Sequence, residues 1–132
     1  MKKSTIRLGC YALVIGALGI GSIICFNLAQ YNKAKYKSSS AIVQDAVSKL
    51  TSIYQQNPNA LTDTSDERAH DKALWYNDIY EHFYVENEKN KEAYVCSSVP
   101  AYLLSTLTLV AFGLILKYEE KAKEKEDNQL AL

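Results

Sequence analysis

Leu8–Asn32, LGCYALVIGALGIGSIICFNLAQYN, carries no charged residue. An α-helix rises 1.5 Å per residue, so about 20 such residues cross a bilayer core. A second uncharged run at Ala93–Leu116, AYVCSSVPAYLLSTLTLVAFGLIL, has the same property. This pair predicts an all-α membrane protein with two transmembrane helices joined by an extramembrane amphipathic helical hairpin. Outward from the two runs, the chain divides into a basic N-terminus (1–7), a first transmembrane helix (8–30), a hairpin (31–93, turning near 57–64), a second transmembrane helix (94–116) and a charged tail (117–132).

The 132 residues leave only the segment between the runs for a water-facing domain. A domain of about 60 residues is marginal for independent folding. The 15 basic residues balance the 15 acidic ones. Nucleic acid is thereby excluded as an expected partner, because phosphate binding needs a basic surface. Cys10, Cys25 and Cys96 lie in or beside the spans and form no CxxC pair. They read first as small lipid-compatible residues. The sharper alternative is a Cys25–Cys96 disulfide between the spans, which requires an oxidising compartment on that face.

Lys2, Lys3 and Arg7 precede the first run as in a bacterial signal anchor. The run is longer than the apolar core of a cleaved signal peptide, so an uncleaved helix is expected. Lys2, Lys3, Arg7, Lys117, Lys121, Lys123 and Lys125 flank the terminal side, against Lys33, Lys35, Lys37, Lys89 and Lys91 on the loop side. The positive-inside rule then puts both termini in the cytoplasm of a bacterial inner membrane and the hairpin outside it.

Small residues recur in the first span at Gly9, Ala12, Gly16 and Gly19, and in the second at Ser98, Ala101, Ser105 and Thr108. Small faces let helices approach closely in lipid, so these two stripes are expected to meet within one chain. An Ala17-x-x-x-Gly21 face for self-association is the alternative. Pro100 is expected in the first turns of span two, where a missing N–H does little harm.

In the hairpin, Val43, Val47, Leu50 and Tyr54 repeat at helical spacing, as do Ala69, Ala73, Tyr76, Tyr80 and Phe83. Asn57-Pro58-Asn59 ends the first arm, since proline disfavours a helical residue before it. Thr64 with Glu67 reads as a capping box for the second. Ser38-Ser39-Ser40 is the expected break or bend in the first arm. Asn87 and Asn90 replace aromatics on the seam near its base, which suggests a hydrated, mobile joint.

No catalytic or metal-binding motif is present, and neither run contains an Asp, Glu, Lys or Arg to relay ions or protons. No enzyme activity and no cofactor are expected. His70 and His82 each have a carboxylate four residues away, at Asp66 and at Asp78 and Glu86. That pattern suits an ordinary surface pair first, and a pH-tuned contact or a metal ligand second. Ten tyrosines are the compositional signature. Trp75, Tyr76, Ile79, Tyr80 and Phe83 crowd the second arm, more than one partner arm can cover. The plain reading is that they pack within the hairpin itself; the alternative is a candidate partner interface, with a second copy or another protein.

The expected role is a small two-pass accessory or regulatory binding subunit in membrane lipid, acting by self-association or by docking on a larger membrane complex. In outline the layout is similar to bacterial sensor and chain-length-regulator proteins, with a much shorter loop and no shared motif, so no family is assigned. The alternative is a membrane-active protein: a phage-type holin, or a superinfection-exclusion or immunity protein. Size, two spans and a charged tail resemble holins, whose loop is usually short.

Overall fold

A computed structural model describes residues 2–130, with side chains from 6 to 129. The Lys2 and Lys3 side chains of the basic N-terminus lie outside the described residues. The described chain consists of two helices, α1 (Lys2–Gln56) and α2 (Glu67–Leu130), joined by a turn. Both contain a stretch long and apolar enough to cross a membrane. Only 6% of each stretch is buried within the protein, so neither is the covered core helix of a globular domain.

The chain packs as two compact units. One comprises residues 29–96 and the other brings together 1–28 and 97–132. In the first, the residues turned inward along α1 are Ala29, Asn32, Tyr36, Ser39, Val43, Ala46, Leu50 and Ile53. Along α2 they are Ala69, Ala73, Tyr76, Tyr80, Phe83, Asn87, Asn90 and Tyr94. Both sets alternate by three and four, the 3.5-residue period of a coiled-coil seam. Burial falls mostly on small residues, Ala29, Ser39, Ala46, Ala60 and Ala73, with Leu50 and Asn87 the larger exceptions. Among the described residues no large side chain is fully buried. Two helices enclose too little volume to hide one, and the close approach is built on alanine and serine instead.

α1 continues unbroken through Ser38-Ser39-Ser40, so the expected break is absent. The reason is local satisfaction. Ser39 Oγ lies 3.1 Å from the Tyr36 carbonyl of its own helix and 3.0 Å from Asn87 Oδ1 across the seam, so its hydroxyl has no need of a non-helical backbone. Asn90 Nδ2 donates to Ser39 Oγ at 3.3 Å. Ser39 and Asn87 are 5% and 9% exposed, so the seam here is polar but buried, in place of the hydrated joint expected. Further along, Asn32 Nδ2 donates to the Ala93 carbonyl at 3.3 Å.

The turn runs from Asn57 to Asp66. Asn57 N–H still bonds the Ile53 carbonyl at 2.8 Å, and Pro58 follows at once, where the helix cannot go on. Asn57 Oδ1 accepts from Asn59 N–H, and Asn59 O accepts from the N–H groups of Thr62 and Asp63. α2 is capped by Asp66, not Thr64: Asp66 Oδ1 accepts from Ala69 N–H at 3.1 Å. An aspartate three residues before that amide sits at the N-cap position itself, whereas Thr64 is two residues too early to reach the first turn. His70 Nδ1 lies 2.9 Å from the Ala60 carbonyl, so it donates there and ties the turn back onto α2. Ala60 is fully buried beneath it.

In the other unit, α1 turns Tyr11, Ile15, Leu18, Ser22 and Cys25 inward, and α2 turns Ser97, Ala101, Leu104, Ser105, Thr108, Ala111 and Ile115. Ser22 and Ser105 hydroxyls are 2.7 Å apart. Ser105 Oγ donates back to the Ala101 carbonyl at 2.8 Å, which leaves Ser22 as the donor across the seam. Thr106 and Thr108 likewise bond the carbonyls of Tyr102 and Leu104. Every one of these hydroxyls therefore has a partner within its helix or across the seam.

Pro100 falls in the first turns of the 94–116 stretch, but α2 already begins at Glu67, so the proline lies inside a continuous helix. Lacking an N–H, it leaves the Cys96 carbonyl without its helical partner.

Candidate interaction surface

Trp75 is 60% exposed, the most open of the five candidate interface residues. Tyr76, Ile79, Tyr80 and Phe83 are half-buried. The heptad explains the split. Tyr76, Tyr80 and Phe83 occupy seam positions and face α1, while Trp75 and Ile79 flank the seam on one side. The indole meets the Tyr76 ring edge-on, with centroids 4.8 Å apart. Across the seam, Ile42 (36% exposed), Ala41, Asp45 and Ala46 join Trp75, Tyr76 and Ile79 around an open groove of about 360 Å³. A second depression continues along α2 between Trp75, Ile79, His82 and Phe83, bordered by Asp78 and Glu81. The five residues thus belong to one unit, but they do not form one face: three close the hairpin, Ile79 flanks them half-buried and Trp75 remains open.

Ile42 is the member sequence reasoning passed over. It stands next to Val43 and reads as a widening of the same apolar stripe. Its place opposite Ile79 depends on the register between the helices, which spacing within one arm does not reveal. Val47 departs the other way, being 43% exposed although it matches the helical repeat, while Ala46 beside it is buried.

The small-residue stripes separate. Ala101 is buried, and Ser98, Ser105 and Thr108 are half-buried on the inward side of α2. Gly9, Ala12 and Gly16 are exposed and Gly19 is half-buried. A Cβ built on Gly9, Gly16 or Gly19 would meet nothing within 4 Å. The inward stripe of α1 is Tyr11, Ile15 and Leu18, which has the same spacing as Ala12, Gly16 and Gly19 rotated by one residue, or about 100°. Bulky side chains on α1 thus accompany small ones on α2, and the glycines are turned away. Gly21, part of the alternative self-association face, instead has Leu104 3.5 Å from where its Cβ would stand.

Cys10, Cys25 and Cys96 are free thiols, so the Cys25–Cys96 disulfide is not formed in this structure. Cys25 is half-buried and Cys96 exposed. His82 is exposed, its ring edge-on to Phe83 at 5.1 Å. Among the described residues no three His, Cys, Asp or Glu side chains converge to hold a metal ion. His70 is taken up by the turn, as described. Asp63, beside it, is the titratable group most clearly perturbed. The Ser65 hydroxyl and then the Ser65 amide, 2.9 Å from Oδ1, hold its carboxyl below the ordinary value of 3.8, with a smaller contribution from His70.

Fold and surface together define an all-helical chain with two membrane-span-like stretches and an open apolar flank. Comparison with protein families, curated proteins and solved structures finds no match to this chain.

Proposed function

We propose that this chain is a two-pass protein of the bacterial inner membrane, with both termini in the cytoplasm and residues 31–93 outside. In this reading it serves as a non-catalytic accessory or regulatory subunit, and its hairpin pairs with a second copy or docks on a larger membrane complex. One observation carries the proposal: Trp75 stands 60% exposed beside Ile79 and Ile42 on a unit whose interior has no room for it. Large aromatics left open next to an apolar groove favour a protein contact, where tryptophan is a frequent anchor. The membrane assignment is supported by two apolar stretches that the protein itself leaves uncovered. The lysines and arginine flanking the terminal side support the orientation.

The test is purification in mild detergent with crosslinking before extraction, wild type against Trp75→Ala. A crosslinked species lost in the variant supports the proposal. A wild-type chain recovered only as an uncrosslinked monomer, with its hairpin ordered, refutes it.

A further inference from the structure

A second groove of the 29–96 unit shares Ala41 with the first and differs in chemistry. It encloses about 380 Å³ between Lys33, Tyr36, Lys37, Ser40, Ala41 and Gln44 of α1 and Tyr94 of α2, and no carboxylate lines it. Tyr36 and Tyr94 form an apolar floor, their rings nearly parallel at 9° with centroids 6.4 Å apart. Lys33 and Lys37 stand one helical turn apart on the same side, where like charges repel. Among the described residues the ion pair is Lys91 with Glu88, at 3.8 Å, and neither Lys33 nor Lys37 takes part in one. Two ammonium groups, a hydroxyl and a carboxamide therefore border one apolar-floored cleft, with no carboxylate among the described residues that line it.

The position of the cleft selects the ligand. Lys33 is the first charged residue after the uncharged run Leu8–Asn32. Tyr31, with Lys35 Nζ 4.8 Å from its ring centroid, marks the same level on α1. Tyrosine and lysine at the end of an apolar run sit at headgroup depth. We propose that the Lys33–Lys37 groove binds the phosphodiester headgroup of an anionic phospholipid. The ammonium groups take the phosphate oxygens, Ser40 and Gln44 donate to the rest of the headgroup, and the tyrosine floor covers the glycerol region. An acidic peptide would meet the same lysines. A site beginning where the apolar run ends favours the lipid, whose phosphate is confined to that depth.

The inference rests on the membrane reading above. The full chain, extracted in mild non-ionic detergent, is titrated with phosphatidylglycerol or phosphatidylcholine, and bound lipid is counted by native mass spectrometry. Phosphatidylglycerol is expected to be retained in preference. Lys33→Gln with Lys37→Gln should weaken its retention on the order of tenfold, whereas Lys33→Arg with Lys37→Arg, and Lys123→Gln with Lys125→Gln in the tail, should leave it intact. Equal retention of both lipids overturns the proposal, as does indifference to the lysine-to-glutamine changes. Displacement by millimolar inorganic phosphate overturns it in favour of a plain anion site, and displacement by an acidic peptide in favour of a protein contact. An alkaline carbonate wash of membranes reads the parent assumption separately: a chain released by the wash overturns both readings, and a chain that stays leaves the lipid result to decide this one.

Discussion

Ser39 Oγ lies 3.0 Å from Asn87 Oδ1, and both side chains are almost completely buried between the two helices. Apart from Asn32 near the end of the unit, the seam around them is alanine, aliphatic and aromatic, so this polar pair, with Asn90, favours one alignment of α1 on α2. A buried polar residue at a seam position is a known way to fix register.

Asn87→Ala should cost about 0.5–1.5 kcal/mol, because it removes the buried hydrogen bond across the seam while Ser39 Oγ keeps the Tyr36 carbonyl and Asn90 Nδ2. Ser39→Ala with Asn87→Leu and Asn90→Leu should be less damaging than Asn87→Ala alone, since all three polar groups then go together. Urea unfolding in detergent, followed by circular dichroism, measures both. Equal stability of wild type and Asn87→Ala would show the pair contributes nothing.

Trp75→Ala should leave folding within about 0.5 kcal/mol of wild type, as expected for an exposed position. It should weaken association by about 2 kcal/mol or more if the indole is an anchor. Analytical ultracentrifugation in density-matched detergent separates the two effects. A large loss of stability without loss of association would reverse the assignment of this face.

The two small-residue stripes should respond oppositely to added bulk. Gly9→Ala and Gly16→Ala meet no neighbour within 4 Å and should be neutral or stabilising. Ser105→Leu should cost about 1–3 kcal/mol, because it forces a branched side chain into the seam and removes the bond to Ser22. Thermal melts of the three variants decide it, and a destabilised Gly16→Ala would return the glycines to the intrachain seam.

Asp63 makes the turn acid-sensitive. Its carboxyl titrates lower in the folded chain than in the unfolded one, so the folded state holds the anion more tightly. That contribution is complete above the ordinary value of 3.8 and is lost as pH falls below it through the folded value. Amide exchange at Ser65 should therefore accelerate below about pH 4 in wild type relative to pH 6, beyond the intrinsic change in exchange chemistry. In Asp63→Asn the extra acceleration should vanish. His70→Ala should loosen the same turn at all pH values, because the Ala60 carbonyl loses its donor.

Much of the layout was legible in the residues. Uncharged runs at Leu8–Asn32 and Ala93–Leu116 and the proline at 58 are local signals, and they specify helices, lengths and a turn. Asn87 and Asn90 also announced a polar layer at the base of the hairpin. Spacing could not choose between the Gly9–Gly19 stripe and the Tyr11–Leu18 stripe, because both repeat by three and four and differ only by rotation. Nor could it identify Asp66 as the cap while Thr64 satisfied a looser pattern, or reveal that Ala60 lies under His70.

By itself, then, the order of residues determined two long helices, their apolar stretches and the place where the chain reverses, since each depends on hydrogen bonds and transfer energies within a few turns. The tertiary structure alone decided which side of each helix is covered. In the 29–96 unit, small side chains at Ala29, Ser39, Ala46 and Ala73 let the backbones close and so fix which side of each helix is covered. With those sides fixed, Tyr76, Tyr80 and Phe83 turn inward, Trp75 and Ile42 are left open beside one groove, and Lys33 and Lys37 border another.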